Sequence, residues 1–518
     1  MSLPPNKFLF LLFSIILFSC TTESSGISIF IEEGTEEAFQ NLLVQNPADF
    51  PYILKSFSGP VPEEVYTLAE NKQSFLIIHK ENLWKDDQAG KPSPTPPGSR
   101  HKIITQVYLA PVTDFTDLRI SLPKKDIDAE RILPVREIQL PFKALAVDNL
   151  YPGDTGYPLV ERIILTLNLQ AAKNGKNETR KALDNLEEWF QDTERLGEDY
   201  QAGDSSVLWI GAVGDILPAR GAERFLLGKE DRGLDKLFQD TLPILRSQDL
   251  LLGNLEGPVS RRGARIDKTY TFRFIPEVLP GLKNAGFDYL SITNNHCFDY
   301  GITAFLDTLG YLSGSGIGTS GAGRDLREAS LPWEAERKGE RIRVLSLGAY
   351  PVERSGFDGK RDATAGPEKP GILWQGEETL EAVAAAFSEE NCFTIVMVHG
   401  GEEWRNEPTT DQVQLYRSLL EAGADLVLGS HPHVLQGLEV FNKKLIAYSL
   451  GNFIFPGMEE TRYGEESVIL SLGVLEGAIR YINLYPVRIS GITVSLDLSD
   501  KILQRFNDLT ITLKKGGL

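Results

Sequence analysis

Cysteine is scarce in this chain of 518 residues, with only Cys20, Cys297 and Cys392. Three thiols cannot build a disulfide framework, so a hydrophobic core must hold the fold. Positive charge is in deficit, at 53 Lys and Arg against 72 Asp and Glu, a formal net charge of −19. That balance argues against binding a polyanion over the whole surface and gives no support for nucleic acid as a partner. Beyond residue 20 no apolar run has the length to cross a bilayer as a helix. Histidine is sparse too, at six, yet His431 and His433 stand one residue apart.

The length is too great for one core and predicts two domains with appendages. Lys7 precedes the apolar run Phe8–Ile16, which fits a signal-peptide core better than a mature membrane span. The run closes on Leu17-Phe18-Ser19-Cys20 and is followed by polar residues. This resembles a bacterial lipoprotein signal over residues 1–20, with Cys20 as the lipidated residue. An ordinary signal peptide with a chance cysteine is the alternative. The lipid reading implies attachment to a membrane and a location in the cell envelope, periplasmic or outer.

Residues 21–172 predict an α/β domain. Ile27–Ile31, Ser74–His79 and Ile103–Pro111 read as strands and Thr35–Val44 as a helix, with a proline-rich loop over Lys91–Arg100. Val107–Phe115 (VYLAPVTDF), Val147-Asp148-Asn149, Pro152 and Tyr157-Pro158-Leu159 resemble periplasmic solute-binding proteins of the phosphate-binding type. His79 and His101 are read as structural or solvated. Over 173–205, Leu183, Leu186, Trp189 and Phe190 recur at helical spacing in polar sequence, predicting a helical linker.

Residues 206–518 carry the chemistry. Apolar runs that read as buried strands end, one after another, in Gly214-Asp215, Asn254-Leu255-Glu256, Thr293-Asn294-Asn295-His296, His399-Gly400-Gly401-Glu402-Glu403 and Ser430-His431-Pro432-His433. Carboxylates and imidazoles gathered at the carboxyl ends of strands suit a divalent metal. In an extended segment His431 and His433 would face one way, which predicts that both imidazoles converge.

The order GD, NLE, NNH, HGGEE, SHPH, SLGNFIF resembles the CapA family of capsule-biosynthesis or poly-γ-glutamate synthesis proteins, within the calcineurin-like metallophosphoesterase superfamily. The text between motifs matches as well, over Phe272–Asp299 and Gly316–Arg324. The resemblance implies a two-sheet β-sandwich flanked by helices, preceded here by the smaller α/β periplasmic-binding-like domain. It implies two divalent ions, Mn, Zn or Fe, on Asp215, Glu256, Asn295, His399, His431 and His433. His296 would protonate the leaving group. Arg220, Asn294, Asp299, Glu403 and Asn452 would support the ligands or the substrate. Ile216 and Leu217 follow Asp215 where the superfamily pattern has a histidine two residues on, so one metal position lacks that ligand.

The implied function is a metal-dependent, phosphoesterase-like hydrolase serving capsule, poly-γ-glutamate or other surface-polymer biosynthesis or export. Its partners would be an anionic surface polymer or phosphoester substrate and the capsule synthesis or export machinery. Two alternatives stand beside it: a non-catalytic polymer-binding factor, and a metal-dependent amide hydrolase acting on poly-γ-glutamate.

Overall fold

The computed structural model describes residues 207–515 except 228–231 and 388–391, together with strands and short stretches between 27 and 168. Cys20, the helix expected over Thr35–Val44 and the linker 173–205 lie outside the described residues. The chain divides into two compact units, Met1–Tyr108 with Pro158–Asp204, and Leu109–Tyr157 with Ser205–Leu518.

In the first unit, Ile27–Glu32 pairs in parallel with Tyr52–Phe57 and with Phe75–Asn82. Val160–Asn168 runs antiparallel between Phe75–Asn82 and the start of Arg100–Asp114. The three predicted strands coincide with elements of this sheet.

The second unit is built on two sheets. The first holds, in spatial order, β3 (Phe287–Ser291), β2 (Leu250–Leu255), β1 (Leu208–Ile216), β11 (Glu466–Leu475), β12 (Ala478–Ser490) and β13 (Thr493–Leu496), with β10 (Asn452–Ile454) beside β1. The second runs β4 (Trp333–Arg337), β5 (Glu340–Ala349), β6 (Cys392–Gly400), β7 (Leu426–Ser430), β9 (Lys444–Leu450) and β8 (Leu435–Phe441). β1, β2 and β3 are mutually parallel, as are β5, β6, β7 and β9. Strands buried on both faces read as near-continuous apolar runs, as β1, β2, β6 and β7 do.

Side-chain alternation explains the layering. Ile210, Ala212, Leu250 and Leu252 of the first sheet share one core with Ile395, Met397, Leu426 and Leu428 of the second. The alternate residues Val213, Leu251 and Leu255 face a core with helix residues Leu237, Leu282 and Phe305. On the far side, Val396, Val398 and Val427 pack with Val413, Tyr416 and Leu419 of the helix Thr410–Glu421. The order of layers is helix, sheet, sheet, helix. Each fully buried Leu, Ile or Val contributes about 1.5–3 kcal/mol, so burial in these three cores dominates stability.

The carboxy-terminal helix Lys501–Lys515 is longer than the Lys501–Asp508 stretch predicted. Ile502, Phe506, Thr510 and Leu513 recur at three- and four-residue spacing and are all buried. Residues of 109–157 also pack in this unit. Phe115 and Leu140 join the inter-sheet core, and Tyr151 meets Trp209 and Tyr481 edge-on at 4.7 and 5.2 Å. Lys143 Nζ donates to the carbonyl of Ile482 at 3.1 Å.

Candidate metal centre

Strand register creates the centre. Asp215 of β1 is the Cα partner of Asn254 on β2 and of Asn452 on β10. In the second sheet His399 of β6 partners Ser430 of β7. The carboxyl ends of both sheets thus open on one place.

Two glycines permit the close approach. A Cβ on Gly214 would lie 1.9 Å from the carbonyl oxygen of Gly451, and the amide of Asp215 donates to that same oxygen at 3.0 Å. A Cβ on Gly429 would lie 2.0 Å from the carbonyl of Tyr448.

His431 and His433 lie beyond the end of β7, and both have positive φ, 100° and 57°. Their convergence, with ring centroids 6.1 Å apart, comes from a left-handed turn and not from strand alternation. Such backbone costs about 1–3 kcal/mol at each non-glycine residue and persists where surrounding structure holds it. Part of that hold is visible: the amide of Trp404 donates to the carbonyl of Pro432 at 2.8 Å.

Asp215, Glu256 and His433 bring ligand atoms within 4.8 Å of one another, as do Glu403, His431 and His433. His433 Nδ1 is 2.9 Å from Asn452 Oδ1 and 3.2 Å from Asp215 Oδ2, and its Nε2 is 3.5 Å from Glu256 Oε1. Asn452 Nδ2 in turn donates to the carbonyls of His433 and Gly464. His399 and Asn295 pair with each other: His399 Nε2 is 3.0 Å from Asn295 Oδ1 and 3.1 Å from His431 Nδ1.

His296 is held from one side. Its Nδ1 is 2.7 Å from Asp299 Oδ2, while Nε2 points towards Glu256 Oε1 at 3.9 Å. Asn294 fastens this loop, donating to Asn254 Oδ1 and the carbonyl of Leu255 and accepting the amide of His296. Exposed Arg220 donates to the carbonyl of Pro456 at 2.7 Å, with its guanidinium 5.3 Å from the Phe272 ring centroid.

Burial and mutual charge shift the groups of this cluster in different directions. Burial, with Asp215 beside it, pushes the Glu256 carboxyl well above the usual range. Burial lowers His433, yet Glu256 and Asp215 outweigh it and push this imidazole up to about 10. His399 and His431 move the other way, well down, through burial and neighbouring imidazoles. Burial also lowers His296, against the pull of Asp299. Both carboxylate oxygens of Glu256 and His431 Nε2 are buried without a hydrogen-bond partner. Orphaned buried acceptors beside a second carboxylate fit a cation.

Residues 209–457 match the family described as bacterial capsule synthesis protein PGA_cap. The PGA biosynthesis protein CapA of Bacillus subtilis is 34% identical over 259 residues, which cover 49% of this chain and 66% of that protein. Residues 209–457 belong to the CapA family of capsule synthesis proteins. The capsule biosynthesis protein CapA of Bacillus anthracis is 28% identical over 344 residues, covering 64% of this chain and 79% of that one. A probable polyglutamine synthesis accessory protein of Mycobacterium tuberculosis is 29% identical over 215 residues, 40% of this chain and 55% of that one.

Around this CapA-family centre stand residues that motif reading passed over. Asn254 Nδ2 donates to Asp215 Oδ1 at 2.8 Å and lies 3.3 Å from His399 Nδ1. Lys268, wholly buried, pairs with Asp299 at 2.9 Å and Glu353 at 2.7 Å and donates to the carbonyl of Asn295. Glu353 also accepts from Asn295 Nδ2 at 3.0 Å. The Tyr350 ring lies 5.9 Å from that of His399 and 6.1 Å from that of His431. Asn254 and Tyr350 carry the same signal as the predicted residues, a polar group at the end of an apolar strand. Lys268 sits on an irregular loop with no such signal.

Proposed function

We propose that this domain is a metal-dependent, phosphoesterase-like hydrolase that acts in the making or export of a surface polymer such as a poly-γ-glutamate capsule. The observation that carries it is Glu256. This buried carboxylate has no hydrogen-bond partner and lies between the Nε2 atoms of His433 and His296. Two facing sheets flanked by helices, with the acidic and imidazole groups at the strand ends, support kinship with calcineurin-like phosphoesterases.

Asp215, Glu256, Asn295, His399, His431 and His433 would hold divalent ions, Mn, Zn or Fe, which supply Lewis acidity towards a phosphoryl oxygen. Asp299 accepts the Nδ1 proton of His296 and orients the ring. In the imidazolium form Nε2 carries the second proton and would hand it to the leaving oxygen, the ring returning to its neutral Nδ1–H form. Arg220 and Asn452 flank the group being cleaved or its ligands. The relatives' names suggest the polymer pathway. The sequence of residues 1–20 suggests a lipid on Cys20 and a place in the cell envelope.

Turnover of bis(p-nitrophenyl) phosphate by the full chain loaded with Mn²⁺ tests the proposal. His296→Ala should lower kcat by about 10²–10⁴-fold, the range for a general acid, and Asp215→Ala should lower it through loss of bound metal. Equal turnover in wild type and both variants, or none in the metal-loaded wild type, would overturn hydrolysis here. The second result would favour a polymer-tethering role.

A further inference from the structure

The two candidate groups share His433. The groups differ in their other members: Asp215 and Glu256 in one, Glu403 and His431 in the other. Asp215 and Glu256 are fully buried, whereas Glu403 is exposed on the loop after β6. His431 Nε2 is buried without a hydrogen-bond partner, and its Nδ1 lies 3.1 Å from His399 Nε2.

We propose that Glu403 is itself a metal ligand, closing with His431 the solvent-side position of the centre. This rests on the metal-binding reading of the site and deepens it. The first strand cannot serve that position, because Ile216 and Leu217 beyond Asp215 are buried apolar residues of the helix-side core. Glu403 is exposed, so its loop brings a carboxylate to the cluster from the solvent side. Its loop does not depend on the carboxylate for its place. The Trp404 amide is fixed to Pro432, and the indole packs at 5.2 Å from the His433 ring. Glu403 can therefore be truncated without releasing the loop.

The experiment is a chelator-competition titration of the full chain with Mn²⁺ and then Zn²⁺, read as bound metal per chain. Wild type is compared with Glu403→Ala, Glu403→Asp, His431→Ala and Glu402→Gln. Glu402 is exposed and pairs only at the surface with Arg405, at 3.1 Å, so its variant should bind as wild type. Loss of an outer partner costs about 10–100-fold in affinity, and loss of a direct ligand should exceed that. Glu403→Ala is expected to weaken one ion by more than about 100-fold, to match His431→Ala in which ion it loses, and to be partly rescued by Glu403→Asp. Unfolding curves superimposable on wild type without metal would show the fold intact. If His431→Ala loses an ion and Glu403→Ala binds as wild type, the role of Glu403 falls and the centre stands. If wild type binds neither metal, both fall together.

Discussion

Asp215 Oδ1 accepts a hydrogen bond from Asn254 Nδ2 at 2.8 Å, and the two residues are Cα partners on adjacent parallel strands. Parallel register therefore orients the carboxylate before any ion binds. Asn254 Oδ1 also accepts from Asn294, which fastens the loop bearing His296. One amide couples the first strand to the loop that bears His296.

Asn254→Leu keeps the branched outline of the side chain and removes these bonds, leaving a buried carboxylate oxygen and a buried amide donor unmatched. We expect a loss of about 1–3 kcal/mol per unmatched group in urea unfolding. Turnover of the phosphodiester probe should fall as well. Unchanged stability would mean that water replaces the asparagine.

Lys268 is buried between fully buried Asp299 and partly exposed Glu353. Lys268→Met strands two carboxylates, and breaking a buried pair in this way costs about 3–5 kcal/mol. The double variant Lys268→Met/Glu353→Gln should recover part of that loss. Thermal melts of the three proteins decide it.

Glycine positions separate close approach from helix entropy. Gly214→Ala would set a methyl 1.9 Å from a carbonyl oxygen, so it should destabilise by at least about 1–3 kcal/mol or block folding. Gly310 lies on the exposed face of the helix Gly301–Gly314 with nothing within 4 Å of an added Cβ. Gly310→Ala should instead stabilise by about 0.5–1 kcal/mol. Melting temperatures moving in opposite directions would satisfy both.

Lys143 gives a pH dependence away from the metal centre. Burial lowers its amine from 10.5 to about 8, with Asp117 raising it and Arg119 lowering it, and Nζ donates to the carbonyls of Arg119 and Ile482. The folded value lies below the unfolded one, so between pH 8 and 10.5 the unfolded chain binds more protons. Stability relative to a Lys143→Met variant should then rise with pH across that window, by at most about 3 kcal/mol. Below pH 8 the difference should be flat. Denaturant unfolding of both proteins from pH 7 to 10.5 checks the sign.

Much of this molecule is legible in its residues. Strands buried on both faces in a parallel sheet must be apolar throughout, so β1, β2, β3, β6 and β7 announce themselves, and the Asp, Asn and His at their ends stand out against that background. The motifs GD, NNH, HGGEE and SHPH carried the family likewise. Local pattern could not specify how the groups meet. His431 and His433 converge through a left-handed turn that no alternation encodes. Lys268 and Glu353 reach Asn295 from loops 27 and 58 residues away in sequence. Residues Phe115, Leu140 and Tyr151 join the carboxy-terminal unit, although a contiguous 21–172 domain was the natural reading of their neighbourhood. Apolar periodicity is a property of one segment and survives in the sequence. Register between strands, the partner of a buried charge and the strain a turn can hold are set by which segments pack together, and only the tertiary structure decides that.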